Sequence, residues 1–154
     1  MTHQFKTRMQ QAHHRGDYKA LLELIPYARL IGVECTRLGD ELLFRMPANK
    51  DNIGNPILPA IHGGVIAGFM ELSAAFHLWV ATGTPGVEKG LPKIVDFSLD
   101  YLRAGQFRDT FATCQVWRQG RRVANVAITA WQSTPAEPIA TARAHFKIQE
   151  QARP

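Results

Sequence analysis

Residues 62–83 read HGGVIAGFMELSAAFHLWVATG, and this stretch decides the fold. Its large apolar residues recur at steps of four and three, the spacing of one face of an α-helix. They are Val65, Phe69, Leu72, Phe76 and Trp79. We therefore predict one long, mostly apolar helix that begins at His62 and lies at the centre of the protein.

Downstream of this helix and of a loop at Thr82 to Leu91, the apolar period changes from about 3.6 to two. Apolar residues alternate along residues 95–101, 112–116, 124–130 and 140–148, and turn residues stand at 104–105, 119–120 and 134–138. This pattern predicts four sequential antiparallel strands. The first of them, with Asp96, Ser98 and Asp100 between its apolar residues, should have one wet face.

Upstream, the loosely helical spacing from about Thr7 to Ile25 predicts a cap helix that Pro26 ends. Two extended runs, Leu30 to Arg37 and Glu41 to Met46, flank a Gly-Asp pair and predict a hairpin. The proline- and asparagine-rich stretch Pro47 to Ile61 predicts an irregular loop. We expect a single α+β domain over residues 1–154, with a cap region at 1–26 and a curved antiparallel sheet of five or six strands around one long central helix.

Composition narrows the classes of function. The 154 residues are 45% apolar and 20% charged, typical of a globular domain. Neither a secretion signal at Met1 to Gln10 nor a run of about 18 apolar residues is evident, which predicts a cytoplasmic protein that does not enter a membrane. Cys35 and Cys114 have no CxxC spacing, and the histidines lack the spacing of ligands, so we expect two buried thiols and no metal site.

The net charge of +5 favours an anionic partner: nucleic acid, a membrane surface or a phosphate-bearing molecule. Charge alone does not choose among these. Because the basic residues are scattered and no aromatic strand motif for RNA accompanies them, we do not expect a nucleic-acid partner.

Chemistry is expected where the central helix begins. The first amides of a helix are unpaired and carry a partial positive charge, so those of Gly63 and Gly64 could receive a carbonyl oxygen as it becomes an oxyanion. A carboxylate, Glu71, follows His62 by nine residues. It could attack a carbonyl carbon as a nucleophile or activate a water as a base, and the sequence leaves both roles open.

The motif His62-Gly63-Gly64 at a helix start, with Glu71 nine residues after the histidine, resembles the hotdog-fold acyl-CoA thioesterases, within them the PaaI-like and 4-hydroxybenzoyl-CoA thioesterase group. The resemblance runs from about Pro26 to Ile148 and includes the Tyr101-Leu102-Arg103 strand end. It implies hydrolysis of acyl-CoA to a free acid and coenzyme A. Coenzyme A is then part of the substrate, no other cofactor is needed, and His62 orients the loop or the substrate carbonyl.

Helix geometry predicts a site shared between subunits. Nine residues turn about 900° and advance about 13.5 Å, so Glu71 points roughly opposite to His62. One helix cannot bring both to one thioester. We therefore expect a homodimer, or a dimer of dimers, in which His62 and Gly63 come from one subunit and Glu71 from another, as the resemblance also implies.

Two positions depart from the resemblance. Its members often carry Asn or Gln six residues before the histidine, where this chain has Pro56, so Asn55 is the candidate for that role. A hydroxyl one helical turn after the carboxylate is also common, but Ala75 stands there and Ser73 is the nearby alternative. These departures keep a non-catalytic acyl-CoA or lipid-binding protein open as the second hypothesis.

Arginines are the candidates for holding the phosphates of coenzyme A, because a guanidinium makes bidentate contacts with phosphate. Arg121 and Arg122 lie beside the Gln119-Gly120 turn, and Arg103 ends an earlier strand. A solvated hairpin end would explain the same residues. A GxSxG motif is absent, which disfavours an α/β-hydrolase thioesterase, and so is the Asp/Glu-plus-histidine motif of hotdog hydratases.

Overall fold

The computed structural model describes residues 3–81 and 91–148. Three short helices come first, followed by a hairpin, a small second hairpin, the long helix and four long strands. The elements are α1 (His3–Arg15), α2 (Tyr18–Glu23), α3 (Pro26–Ile31), β1 (Glu34–Leu38), β2 (Glu41–Met46), β3 (Ile53–Asn55), β4 (Ala60–Ile61), α4 (Gly63–Ala81), β5 (Lys93–Tyr101), β6 (Thr110–Gln119), β7 (Val123–Trp131) and β8 (Ala140–Lys147).

Six strands form one antiparallel sheet in the order β1-β2-β6-β7-β8-β5. β5 follows the long helix in sequence, but among the described residues it pairs with β8 and with no other strand, so it lies at an edge of the sheet. The buried residues of β7 and β8 alternate with half-buried ones, which places one face of the sheet against α4. The predicted α+β hotdog fold, a six-stranded sheet around one central helix, is confirmed.

The core lies between α4 and the inner face of the sheet. Phe69, Met70 and Phe76 of α4 are fully buried, and Phe76 meets Phe44 of β2 edge to face at 6.0 Å. Residues Gly63–Val80 are long and apolar enough to cross a membrane, and 56% of that stretch is buried inside the domain. This apolar run is therefore the core helix of a small α+β domain.

The N-terminal prediction was wrong in detail. Instead of one helix over Thr7 to Ile25, α1 and α2 are separated at Gly16, whose φ of +66° is left-handed, and Asp17 caps α2 by accepting from the Ala20 N–H at 3.0 Å. Pro26 also begins a helix, α3, because proline suits a first helical position.

Two further boundaries differ from the prediction. Leu30 belongs to α3, which ends at the left-handed Gly32 (φ +76°), so the first strand begins at Glu34. The stretch expected to be an irregular loop holds a 3-10 turn, Lys50–Asn52, and the short β3–β4 hairpin. The loop predicted at Thr82 to Leu91 falls outside the described residues, apart from Leu91.

The loop after β2 is fastened to β6 by an ion pair that makes stability depend on pH. Asp109 accepts from the Ala48 N–H at 2.9 Å and from Arg45 at 2.8 and 3.0 Å. The Ala48 amide, and then Arg45, lower the pKa of Asp109 below its usual 3.8. The stabilisation is therefore fully present above pH 3.8 and is lost as pH falls through the lower pKa of the folded state.

We expect Asp109→Asn to lower the urea midpoint of unfolding at pH 7 by a small amount, because exposed pairs contribute little. The difference from the wild type should shrink as pH falls below 3.8. Asp40→Asn, at the exposed turn between β1 and β2, is the matched control and should change the midpoint less. A difference that stays constant down to pH 2 would contradict the assignment.

Candidate active site at the start of the long helix

The position of His62 is set by the loop that precedes it. Its backbone N–H donates to the Asn52 carbonyl at 2.9 Å, and its own carbonyl accepts from the Val65 N–H at 2.9 Å as α4 begins. Gly54 lies so close that a Cβ there would come 2.7 Å from the Cα of His62. Only glycine fits this contact, so residues 52–54 hold the histidine at the helix start.

The imidazole of His62 caps the helix. The Gly64 N–H donates to Nδ1 of His62 at 2.9 Å, so Nδ1 carries no proton and the neutral ring carries it on Nε2. The expectation that both glycine amides would be available to substrate was therefore wrong for Gly64, because its N–H is already used. Among the described residues nothing accepts from the N–H of Gly63, which remains the available donor at the helix N-terminus.

Tyr101 fixes the other side of the same peptide group. Its hydroxyl donates to the Gly63 carbonyl at 2.7 Å, joining the end of β5 to the first turn of α4. The peptide between Gly63 and Gly64 is thus held at its oxygen by Tyr101 and at its nitrogen by His62. Sequence reasoning gave no role to Asn52, Gly54 or Tyr101; the signal for Tyr101 was its place in the strand end that the resemblance includes.

Glu71 lies on the opposite side of α4 from His62, since the helix is continuous from Gly63 to Ala81. Its side chain is half-buried, and within residues 3–81 and 91–148 no hydrogen bond or ion pair holds its carboxylate. Gly64 and Gly68 lie on the same side of the helix as Glu71, and another part of the chain covers some of this side. Tyr27 of α3 packs directly on Gly68. One subunit therefore does not bring His62 and Glu71 together.

The polar residues proposed as substitutes are engaged elsewhere. The side-chain oxygen of Asn55 accepts from the N–H groups of Ile57 and Leu58 at 3.1 and 3.3 Å, which shapes the β3–β4 turn and leaves its amide N–H₂ group exposed. Ser73 is fully buried and donates to the Phe69 carbonyl at 2.7 Å. The hydroxyl expected from Ser73 is therefore unavailable to a substrate.

The three arginines lie at opposite ends of the sheet. Arg103 follows Tyr101, close to the helix start, whereas Val123 pairs with Lys147 and Lys147 with Lys93, at the far end of β5. Eight residues of strand separate these ends by about 26 Å. Arg121 and Arg122 are thus remote from His62 of their own subunit.

A cavity of about 360 Å³ lies at the same end of the sheet as the β6–β7 hairpin. It is lined by Arg118, Gly120, Arg122, Val123, Asn125 and His145. Nδ1 of His145 lies 3.2 Å from the Asp96 carboxylate, and the side-chain oxygen of Asn125 is buried with no protein partner in the described part of the chain. The hairpin end is therefore concave and carries two arginines, Arg118 and Arg122, in its lining.

The two thiols are poor nucleophiles. Both are half-buried rather than fully buried, and burial raises the pKa of Cys35 to about 12 and that of Cys114 further. A thiolate is the reactive form, so neither cysteine suits covalent catalysis near pH 7.

Comparisons with known proteins bear on the family and the fold of the chain. A family model described as the thioesterase superfamily matches residues 58–139, more than half of the chain. A Chromobacterium violaceum protein of known crystal structure has 40% sequence identity to this chain, and the two structures match with a TM-score of 0.74. The match covers 93% of this chain and 97% of that one.

Two more distant structures share the fold. A Shewanella oneidensis protein related to the thioesterase superfamily is 21% identical over 92% of this chain and 97% of that one, with a TM-score of 0.74. Mouse thioesterase superfamily member 2 is 16% identical over 87% and 96%, with a TM-score of 0.70. A search among curated proteins finds no match.

Proposed function

Because the chain belongs to the thioesterase superfamily, we propose that it is an acyl-CoA thioesterase of the PaaI-like and 4-hydroxybenzoyl-CoA group. It converts acyl-CoA and water to a free acid and coenzyme A. The observation that carries the proposal is the start of α4. There the peptide between Gly63 and Gly64 is held at its oxygen and at its nitrogen, and the N–H of Gly63 stays available. A cytoplasmic location is part of the same proposal.

The reaction follows from these groups. The thioester carbonyl oxygen accepts from the Gly63 N–H and gains negative charge as the carbon is attacked, and Nε2–H of His62 is a second donor near the same helix end. Glu71 of the partner subunit either attacks the carbon or removes a proton from an attacking water. Collapse of the intermediate expels the thiolate of coenzyme A, which takes up a proton. On the water route this step gives the free acid directly; on the nucleophilic route the acyl group is left on Glu71 as an anhydride, which water hydrolyses to the free acid and the regenerated carboxylate.

A homodimer, alone or as half of a dimer of dimers, supplies the second half of the site. β5 is a nine-residue free edge with exposed Val95 and Tyr101, and a long free edge can pair with another strand. If two copies pair antiparallel about Phe97, Lys93 of one lies near Tyr101 of the other. The hairpin carrying Arg121 and Arg122 then comes from the partner to the end of the sheet that holds His62.

A thiol-release assay over short, medium, long and aromatic acyl-CoAs tests the proposed activity. Turnover of at least one class is expected. The departures at Pro56 and Ala75, with Ser73 bonded to the Phe69 carbonyl, favour one other function, a non-catalytic acyl-CoA or lipid-binding protein. Saturable acyl-CoA binding with no thiol release from any substrate would establish that alternative.

Removing Arg121 and Arg122 together should raise KM for acyl-CoA and leave KM for a short pantetheine thioester nearly unchanged, because only the former carries the nucleotide phosphates. Arg8→Ala, an exposed cation on α1, is the control and should change neither value. If the double variant affects both substrates equally, these arginines do not bind phosphate.

A further inference from the structure

The surface of α4 around Glu71 is partly covered by α3. A Cβ on Gly68 would lie 2.8 and 2.9 Å from Cε1 and Cζ of Tyr27, and closer still to its hydroxyl oxygen. No residue larger than glycine fits there without moving the tyrosine. The absence of a side chain at position 68 therefore lets Tyr27 approach the helix backbone.

This contact brings the hydroxyl towards Glu71. Gly68 precedes Glu71 by three residues, which places the two about 60° apart around the helix and about 4.5 Å apart along it. Side chains on a helix lean towards its N-terminus, so the Glu71 carboxylate extends over the turn that contains Gly68. The Tyr27 hydroxyl and the carboxylate therefore share one patch of the surface of α4.

Both groups are unpaired in this patch. Within the described ranges neither the hydroxyl of Tyr27 nor the carboxylate of Glu71 has a hydrogen-bond partner; Tyr27 is exposed and Glu71 is half-buried. α3 is also well defined locally, since Pro26 begins it, the left-handed Gly32 ends it, and Ala28 and Ile31 anchor its other face in the core. Tyr27 is thus presented from a fixed support.

We propose that Tyr27 is a positioning residue for Glu71: its hydroxyl donates a hydrogen bond to the Glu71 carboxylate when the partner subunit and the substrate enclose the site. The bond holds the carboxylate in the orientation needed for attack on the thioester or for activation of water. This inference rests on the proposed function. It gives α3 a role in catalysis in addition to its packing against the core.

Tyr27→Phe tests the hydroxyl, because phenylalanine keeps the ring that packs on Gly68. We expect kcat to fall about 10-fold or more, in line with the loss of a hydrogen bond to a charged group, with KM changed less than twofold and the thermal midpoint unchanged. Tyr18→Phe is the matched control: the Tyr18 hydroxyl of α2 accepts from Arg37 of β1, and its ring packs on Phe76 and not on Gly68, so this change should leave kcat unaltered.

Gly68→Ala gives an independent route to the same result, since the added Cβ displaces Tyr27 while leaving its hydroxyl present. It should lower kcat as Tyr27→Phe does, and combining the two changes should add little. A Tyr27→Phe enzyme with wild-type kcat would overturn the inference. The proposed function would survive that result as long as Glu71→Gln still abolishes thiol release, and it would fail if Glu71→Gln does not.

Discussion

Glu71→Gln should abolish thiol release while leaving the fold and the oligomeric state intact. The amide has nearly the shape of the carboxylate but neither attacks a thioester nor accepts a proton from water. We expect kcat to fall at least about 100-fold, the lower range for a general base, and further if Glu71 is the nucleophile. No ion pair within the described residues depends on this carboxylate, so loss of stability should not confuse the measurement.

The control for this change is Glu23→Gln on α2, an exposed carboxylate that makes no hydrogen bond or ion pair within the described residues. It should leave both kcat and KM at wild-type values. Circular dichroism and sedimentation of the Glu71 variant should match those of the wild type. A near-normal kcat in Glu71→Gln would show that Glu71 has no catalytic role, and it would contradict the proposed thioesterase function.

The central helix and the long strands were predictable because burial imposes their periods directly. Phe69 and Phe76 recur on the core face of α4, and the alanines at 124, 130, 140 and 144 alternate along β7 and β8 for the same reason. The N-terminal region was not predictable in the same way. There Gly16 and Gly32 set the boundaries through left-handed backbone conformations, which leave no trace in apolar spacing.

The candidate site likewise has one part that local sequence predicts and another that depends on long-range contacts. Residue type, helix spacing and the family resemblance together pointed to His62, Gly63 and Glu71, whose catalytic roles stay predictions. The hydrogen bond from Tyr101 to the Gly63 carbonyl spans 38 positions, and it depends on β5 passing beside the start of α4. The contact between Tyr27 and Gly68 likewise depends on how α3 packs. No local pattern encodes such contacts, so only the folded chain reveals them.

Gly63→Pro should lower kcat by about 100- to 1000-fold, the usual effect of removing one oxyanion donor. The helix backbone tolerates proline at this position, because Gly63 is the first residue of α4 and the N–H of Gly63 makes no bond within the helix. The change therefore deletes the proposed donor itself. A side chain at this position also comes 3.0 Å from the Tyr101 hydroxyl, so crowding there needs its own control.

Gly63→Ala is that control, since it adds a Cβ near Tyr101 but keeps the N–H. It should retain far more activity than Gly63→Pro, and equal losses in both would show that crowding, not the amide, is responsible.

A site shared between two subunits also predicts that two inactive variants complement each other. Glu71→Gln chains and Gly63→Pro chains, each inactive alone, should regain part of the wild-type activity when refolded together, because a mixed dimer contains one site with both the Gly63 N–H and the Glu71 carboxylate intact. If mixed dimers form and stay inactive, the two groups do not meet across subunits.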